Sequence, residues 1–289
     1  MKIFITGTES FVGKELIAQC DKANIQLVGC DIKKLTDKRF HQIDIRSKNI
    51  VDIIPENVDA IVHLAALSTD SLCRDNAYEC FDINVMGTLN LMKAAQVKKA
   101  NQFIFASTEW VYDSFIENEP KDETSLINIA NHTSEYALSK LVSEQNLRQK
   151  YKHGFCPVTI LRFGIIYGPR ESNWSAVEQL YNSVRNNDEV IVGALKTGRC
   201  FIHVSDIVSG IIRSVGMSGF HVLNLEGNKL ISLGDIIETS KKLLNKNPIV
   251  AENNSGNPSI RNISNQNAKK ILNWQPLIDL ETGIKSLIE

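Results

Sequence analysis

A tyrosine and a lysine stand four residues apart in the run Tyr136-Ala-Leu-Ser-Lys140. On a helix, side chains four apart lie on one face. An ammonium near a phenol stabilises the phenolate and lowers the pKa of the tyrosine from about 10 toward neutrality. A tyrosine tuned in this way can remove or return a hydroxyl proton, which typically speeds a reaction about 10²- to 10⁴-fold. The alternative is a surface helix that carries a solvated lysine.

A hydroxyl partner for the same proton is predicted at Thr108. It follows the apolar run Phe103–Ser107, which reads as a buried strand. A residue at the carboxyl end of a strand in a parallel sheet lies at the edge where such sheets bind ligands. We therefore expect Thr108, Tyr136 and Lys140 to act together.

A glycine-containing turn, which lies between the first apolar run and the first helical segment, indicates a phosphate site. Gly7 permits the tight turn and Gly13 lets the helix pack close to the sheet, while the N–H groups at the helix start, near Phe11 and Val12, face a pyrophosphate. Ser10 stands where the middle glycine of the usual pattern would be. We expect its hydroxyl to donate to a phosphate oxygen.

An acidic residue, Asp31, closes the second predicted strand 18 residues after Gly13. A carboxylate at this place accepts both hydroxyls of a ribose and repels a 2′-phosphate, which favours NAD over NADP. Ile32 is assigned to the same site. Lys33 and Lys34 leave NADP open, and a solvated loop acid is the alternative for Asp31.

The rest of the pattern predicts an α/β fold of the Rossmann type, with a doubly wound parallel sheet and a smaller C-terminal cap, because short apolar runs alternate with helical segments. Strands are predicted at 2–6, 25–30, 60–64, 103–107 and 157–163. Helices are predicted at 11–23, 84–98, 136–151, about 233–244 and 268–272. Loops are predicted at 186–198, 227–228 and 251–262. The predicted domains are residues 1–165 with about 197–226, which bind NAD, and about 166–196 with 227–289, which bind substrate.

Composition excludes several other classes. The chain has 32 Lys+Arg against 33 Asp+Glu, so it lacks the basic field that nucleic acids or anionic membranes require. Its six cysteines form no Cys-x-x-Cys pair, which predicts reduced thiols and no metal site. The N-terminus shows no signal-peptide pattern and no apolar run is long enough to span a membrane. We expect a cytoplasmic protein.

Taken in order, these residues resemble the extended short-chain dehydrogenases/reductases, the NAD-dependent epimerase/dehydratase family that modifies sugar nucleotides. The resemblance extends over nearly the whole chain and rests on an ordered set of short segments. These are Thr6–Gly13, Asp31, Asp44-Ile45, Val62–Ala66, Asn84–Leu91, Ser107–Tyr112, Tyr136–Lys140, Leu161–Arg170, Arg199–Asp206 and Ile271–Pro276.

The resemblance implies roles for individual residues. Tyr136 is the base, Lys140 binds the nicotinamide ribose and tunes Tyr136, and Thr108 is the third catalytic residue. Further cofactor contacts are implied for Asp44, Ile45, Leu64, Ala65, Ala66, Ser107, Phe163 and Ile165. Substrate contacts are implied for Asn84, Arg170, Arg199 and Arg261, the last two as a clamp on a nucleotide diphosphate. A homodimer through the helices at 84–98 and 136–151 is also implied.

The residues after Thr108 help to distinguish among the reactions that the family catalyses. Family dehydratases have Thr-Asp-Glu here, whereas this chain has Thr108-Glu109-Trp110, which keeps one acid, Glu109, as a candidate catalytic residue. Ile165 stands where many family epimerases have Asn. We expect 4-epimerisation of a sugar, preferably nucleotide-linked, with NAD. Net reduction of a 4-keto-6-deoxy sugar nucleotide is the alternative, since Ser107–Asp113 is similar to dTDP-4-dehydrorhamnose reductases. A third hypothesis is a non-catalytic protein that binds NAD.

Overall fold

The structure, a computed structural model, describes residues 1–115, 119–172 and 174–288. Its strands are short, and we number them in chain order. They are β1 Lys2–Thr6, β2 Gln26–Asp31, β3 Phe40–Gln42, β4 Ala60–His63, β5 Phe103–Thr108, β6 Val158–Phe163, β7 Ile166–Tyr167, β8 Glu189–Val192, β9 Gly198–Arg199, β10 Ile202–His203, β11 Phe220–Leu225, β12 Ile231–Ser232, β13 Ile249–Glu252 and β14 Ile260–Arg261.

The helices alternate with these strands. They are α1 Phe11–Lys22, α2 Ile50–Ile53, α3 Asp70–Cys73, α4 Ala77–Phe81, α5 Gly87–Val97, α6 Glu135–Lys152, α7 Ala176–Asn186, α8 Val204–Arg213, α9 Leu233–Leu244, α10 Gln266–Leu272 and α11 Leu280–Lys285. A π-helical turn at Asp82–Met86 joins α4 to α5, and single 3₁₀ turns lie at Glu109–Val111 and Ile129–Asn131. Among the helices of the described residues, none is long and apolar enough to cross a membrane.

Seven strands of the described chain form one sheet in the order β3-β2-β1-β4-β5-β6-β11. The neighbours from β3 through β5 pair in parallel. The predicted doubly wound sheet is confirmed. Because the strand order reverses between β1 and β4, the loops after these two strands open the crevice at the carboxyl edge where such sheets bind ligands.

The chain divides into two units. The first comprises Met1–Asp113, Leu126–Arg162 and Val208–Leu223, and the second comprises Ser114–Ser125, Phe163–Ile207 and Asn224–Glu289. Each has its own apolar core. The predicted division assigned residues 1–165 and about 197–226 to the NAD-binding domain, whereas residues 114–125, 163–165, 197–207 and 224–226 belong to the second unit. In the structure β9 pairs with β12 and β14, and these contacts place residues 197–207 in the second unit.

Most predicted elements of the first unit agree with the structure to within one or two residues. Two differences matter for the site. The helix predicted at 84–98 begins as the π-helical turn, a feature that often accompanies functional sites. The segments predicted as loops at 186–198 and 251–262 contain β8, β9, β13 and β14, because pairing between distant strands overrides their polar composition.

Candidate active site

The turn after β1 is held by glycines that no other residue could replace. Gly7 has φ of +80°, and a Cβ at this position would lie 2.9 Å from the backbone nitrogen of Ala65. A Cβ at Gly13 would lie 2.2 Å from the Gly7 carbonyl oxygen. The loops after β1 and β4 therefore meet backbone to backbone, and helix α1 starts directly beside them. Because α1 starts beside this close approach of two backbones, the first N–H groups of α1 can face a phosphate.

Ser10 caps α1. Its hydroxyl donates to the Gly7 carbonyl at 2.7 Å and accepts from the Gly13 N–H at 3.0 Å. Because the one hydroxyl proton is directed at Gly7, the structure does not support the phosphate hydrogen bond that we expected from this side chain. The cap instead fixes the start of the helix, while Phe11 and Val12 lie half-buried in its first turn.

Asp31 ends β2 and is nearly buried. One carboxylate oxygen accepts from the Glu9 N–H at 2.8 Å and the other from the Lys33 N–H at 3.0 Å. Each carboxylate oxygen has about two acceptor positions, so both retain one for a ribose hydroxyl. The turn and Asp31 together fit a dinucleotide with an unphosphorylated adenosine ribose. Ile32, the next residue, is exposed.

The other predicted adenine contacts form a rigid corner of the same unit. The Asp44 carboxylate forms an ion pair with Arg46 at 2.7 Å, and the Arg46 guanidinium lowers the pKa of Asp44. Ile45 is buried, and a Cβ at Gly87 would lie 2.6 Å from its Cδ1. The first turn of α5 thus packs tightly on Ile45. Contacts of Asp44 and Ile45 with adenine remain predictions.

A buried histidine fixes the loop after β4. His63 Nε2 lies 2.9 Å from the hydroxyl of Thr88, which itself donates to the Asn84 carbonyl, so Nε2 carries the proton. Nδ1 then accepts from the Thr6 hydroxyl at 2.8 Å, and the Thr6 oxygen accepts from the Ala65 N–H. This directed chain of hydrogen bonds locks Ala65 at the crevice. Leu64 is buried beside it, and Ala66 follows half-buried.

Tyr136 and Lys140 lie on α6, which begins where the Ser134 hydroxyl accepts from the Ala137 N–H. The Lys140 ammonium donates to the Ala106 carbonyl at 2.8 Å and lies 4.8 Å from the centre of the Phe105 ring. Burial lowers the pKa of Lys140 to about 8. Helix α6 therefore packs against the end of β5, as predicted, and a hydrogen bond to β5 holds the Lys140 side chain in place.

Thr108, the last residue of β5, lies beside the phenol of Tyr136. Its hydroxyl oxygen accepts from the Trp110 N–H at 3.2 Å, so its proton is left to face the phenol. A donor to the phenol oxygen stabilises the phenolate and lowers the pKa of Tyr136, but burial outweighs this and raises it to about 12. We predicted a lowered pKa for Tyr136, whereas the surrounding protein raises it.

Glu109 and Asn84 are both buried. Glu109 starts the 3₁₀ turn directly after Thr108 and is shielded from solvent. Asn84 lies in the π-helical turn, where its amide accepts from the Leu67 N–H at 2.8 Å and donates to the Ser139 hydroxyl at 2.9 Å. Asn84 thus ties the loop after β4 to α6 between Tyr136 and Lys140, which is a positioning contact. Its predicted substrate contact remains a prediction.

The second unit contains the predicted arginines. Arg199 on β9 is the register partner of Arg261 on the parallel strand β14, so both side chains leave the same face of a small sheet. Arg199 Nη1 donates to the Ser259 carbonyl at 2.6 Å, and the Arg261 guanidinium lies 5.0 Å from the centre of the Phe115 ring. The structure therefore places the two residues predicted to clamp an anion side by side on neighbouring strands.

Arg170 differs from these two arginines. It is half-buried and forms an ion pair with the buried Glu178 at 2.8 Å, and Glu178 also accepts from the Gly168 N–H. Because a buried carboxylate already neutralises its charge, this pairing argues against the predicted substrate contact. Phe163 and Ile165 lie at and just after the end of β6, buried and half-buried, and their cofactor contacts remain predictions.

The sequence analysis missed two buried charges. Glu144 lies one turn after Lys140 on α6 and pairs with Arg162 on β6 at 2.7 Å. The signal was present, because Tyr136, Lys140 and Glu144 recur at intervals of four and share one helix face. Ser107, predicted to touch the cofactor, donates to this carboxylate instead.

Comparison with known proteins decides the family. The model of the NAD dependent epimerase/dehydratase family matches residues 3–224. The chain belongs to this family. Its members are enzymes that use NAD, which agrees with the fit of the turn and Asp31 to that cofactor.

Relatives of this family member act on sugar nucleotides. The chain is 28% identical over 267 residues to a UDP-glucuronate 4-epimerase of Thermodesulfobacterium geofontis, covering 89% of the chain and 80% of the relative. It is 30% identical over 272 residues to a dTDP-D-glucose 4,6-dehydratase of Dictyostelium discoideum, covering 84% and 62%. Its fold is similar to the structure of MoeE5 in complex with UDP-glucose and NAD, with a TM-score of 0.87, 24% identity and coverage of 100% and 97%.

Proposed function

We propose that this enzyme epimerises the C4 hydroxyl of a nucleoside diphosphate sugar, with NAD as a hydride carrier that ends each turnover oxidised. The observation that carries the proposal is the position of the Tyr136 phenol beside Thr108, with Lys140 one helical turn away. NAD supplies the hydride acceptor and donor. The protein residues supply the proton transfer and the binding of the sugar nucleotide.

Tyr136 would take the proton of the C4 hydroxyl in the oxidation and would return a proton to the same oxygen in the reduction that completes the cycle. Thr108 orients the phenol oxygen through its own hydroxyl, whose oxygen is fixed by the Trp110 N–H. Lys140 holds a positive charge below the phenol and favours its ionised form. Burial raises the pKa of the phenol to about 12, and we propose that binding of the cofactor and substrate contributes to its activation.

Arg199 and Arg261 bind the diphosphate of the substrate. Guanidiniums form paired, charge-assisted hydrogen bonds with phosphate oxygens, and neighbouring parallel strands present these two on one face. We propose a uridine diphosphate sugar as the first substrate to test, because a UDP-glucuronate 4-epimerase is among the relatives.

Trp110 supports epimerisation over dehydration. It stands where the family dehydratases have the second acid that expels a hydroxyl, and an indole ring cannot donate or accept that proton. Glu109 keeps one carboxylate next to Thr108, but it is buried inside the 3₁₀ turn. An acid role for Glu109 stays a hypothesis.

Net reduction of a 4-keto sugar nucleotide is the second candidate. The raised pKa of Tyr136 favours it, because a protonated phenol is ready to donate to a keto oxygen. Two incubations separate the functions. In the first, the protein with NAD⁺ is given UDP-glucose or UDP-glucuronate, the sugars are followed by NMR and NADH by absorbance; epimerisation gives a new 4-epimer with no lasting NADH, and a reductase leaves these sugars unchanged. In the second, the protein with NADH is given a 4-keto-6-deoxy sugar nucleotide, and only a reductase consumes NADH in proportion to the product formed.

We also propose a cytoplasmic homodimer. Helix α5 and the π-helical turn before it expose Met86 and Val97, apolar side chains that a helix pairing with α6 of a second copy would cover. Sedimentation at micromolar concentration is expected to give twice the chain mass. A monomer would remove the dimer from the proposal and leave the reaction untouched.

A further inference from the structure

Three successive turns of α6 carry Tyr136, Lys140 and Glu144 on one face, directed at the end of β5. The Lys140 ammonium donates to the Ala106 carbonyl at 2.8 Å, and the Ser107 hydroxyl donates to the Glu144 carboxylate at 2.5 Å. With the Tyr136 phenol at the end of the same strand, each turn of the helix meets one of the last three residues of β5. The helix cannot slide along the strand without breaking all three contacts.

Arg162 completes this arrangement from β6. Its Nε donates to one oxygen of Glu144 at 3.0 Å and its Nη2 donates to the other at 2.7 Å, the paired geometry in which a guanidinium is most strongly directional. Its Nη1 donates to the Tyr112 hydroxyl at 2.9 Å, directly after the 3₁₀ turn that begins at Glu109. Both oxygens of Glu144 therefore have donors, and one carboxylate joins β5, β6 and α6.

This ion pair is deeply buried, with 6% of the Arg162 side chain and 2% of the Glu144 side chain exposed. A buried pair gives up the hydration of two charges, so it commonly stabilises a protein no better than apolar residues of the same size. A gain in stability therefore does not explain why the Glu144–Arg162 ion pair is buried at this position. What distinguishes the pair is that Glu144 lies one helical turn from Lys140.

Lys140 is surrounded by few ionisable groups. Burial lowers the pKa of its ammonium to about 8, and Cys80, Cys73 and Glu144 act in the opposite direction. Burial raises the pKa of Cys73 to about 12, so this thiol is neutral near pH 7. His63 on β4 also faces Lys140 and is neutral, because burial and the lysine lower its pKa to about 3. Among the groups that raise the pKa of Lys140, Glu144 is the carboxylate, and its negative charge stabilises the ammonium.

We propose that Glu144, held by Arg162 and Ser107, is a positioning residue for Lys140: it fixes the turn of α6 that carries the ammonium and supplies the charge that keeps this buried amine protonated. Its effect on the reaction rests on the proposed function, since it acts through Lys140 on Tyr136. Its effect on Lys140 itself does not need turnover and can be measured directly.

The test is a titration of Lys140 by NMR of protein labelled at the lysine Cε, with Lys140→Arg used to assign the signal. The double variant Glu144→Gln with Arg162→Gln removes both charges together and so avoids leaving one buried charge unpaired. The Glu144 carboxylate favours the Lys140 ammonium from the next turn of the same helix, whereas the Arg162 guanidinium lies on β6. The loss of the carboxylate is therefore expected to outweigh the loss of the guanidinium, and the midpoint of Lys140 is expected to move to lower pH by up to about one unit. Tyr112→Phe is the matched control, because it removes one hydrogen bond of Arg162 and keeps both charges; its midpoint is expected to equal that of the wild type.

A midpoint unchanged in the double variant overturns the proposal, as does an equal shift in Tyr112→Phe. If the double variant does not unfold cooperatively, Glu144→Gln with Arg162→Met is titrated in its place and judged by the same outcomes. In the active enzyme the alkaline limb of the kcat profile is expected to move the same way, with the affinity for NAD unchanged. A shifted midpoint in a protein that turns over no sugar nucleotide contradicts the proposed function alone, whereas an unshifted midpoint in an active protein contradicts the positioning role alone.

Discussion

The residues assigned to proton transfer and the arginines assigned to phosphate binding lie on secondary structure elements of very different length. In the first unit, Tyr136 and Lys140 stand on an 18-residue helix and Thr108 on a buried six-residue strand. In the second unit, Arg199 and Arg261 stand on strands of two residues and are half-buried. Proton transfer depends on the distance between two atoms to within a few tenths of an ångström, and long buried elements hold such distances. A guanidinium can adjust its long side chain to a phosphate, so short strands suffice.

The comparison is tested first at Tyr136, where the largest effect is expected. Replacement by Phe removes the proton-transfer group and keeps the ring, so kcat is expected to fall about 10²- to 10⁴-fold with NAD affinity unchanged. Tyr78→Phe, at a tyrosine that is 84% exposed on α4, is the control and keeps full turnover. Wild-type turnover of Tyr136→Phe on an identified substrate would remove the tyrosine from the mechanism.

The arginines of the second unit are expected to act on binding. Arg199→Ala and Arg261→Ala each remove charge-assisted hydrogen bonds to the diphosphate, which is expected to raise KM about 10- to 100-fold with little change in kcat. The control is Arg185→Ala, an exposed arginine on α7 of the same unit. A fall in kcat at constant KM would show that these arginines do more than hold the substrate.

The rigidity of the first unit is expected to depend on pH through His63. Its pKa is lowered by burial to about 3 in the folded chain, against 6.5 for an ordinary histidine. The unfolded chain therefore takes up the proton first as the pH falls, and folding stability is lost between these two values. From pH 7 to pH 5 the loss is expected to be about 2 kcal/mol.

Urea unfolding of the wild type and of His63→Asn at both pH values measures this loss. The variant is less stable at pH 7 because it disturbs the hydrogen bonds to Thr6 and Thr88, but its stability changes less with pH. The same pH dependence in both proteins would assign the acid sensitivity to other groups.

The smallest effect is expected at Asp31. Replacement by Asn keeps the shape but gives up the charge that strengthens the hydrogen bonds to ribose, so affinity for NAD is expected to fall about tenfold, measured by titration. The preference for NAD over NADP is expected to narrow as well. Asp52→Asn, at an exposed acid on α2, is the control with unchanged affinity. An Asp31→Asn protein with wild-type affinity would move the ribose contact elsewhere.

Residues with a short-range role were predicted well from the sequence. Gly7 is required by its positive φ and Gly13 by the Gly7 carbonyl six residues before it, and the spacing of Tyr136 and Lys140 follows from helix geometry alone. The sequence did not reveal which polar side chains bond within the protein. Ser10, Arg170 and Asn84 were predicted to contact ligands, and in the structure their polar groups bond to Gly7, Glu178 and Leu67. Their ligand contacts remain predictions.

Local patterns of apolar, glycine and reactive residues were enough to predict the order of the elements, the family and the residue types that carry the chemistry. Which polar side chains bond within the protein became visible only in the folded chain. The tertiary structure brought Glu144 to Arg162 and Arg199 to Arg261, pairs that lie 18 and 62 residues apart in the chain. The physical reason is that a hydrogen bond or an ion pair depends on distance in space, and that distance is fixed only when the strands and helices pack.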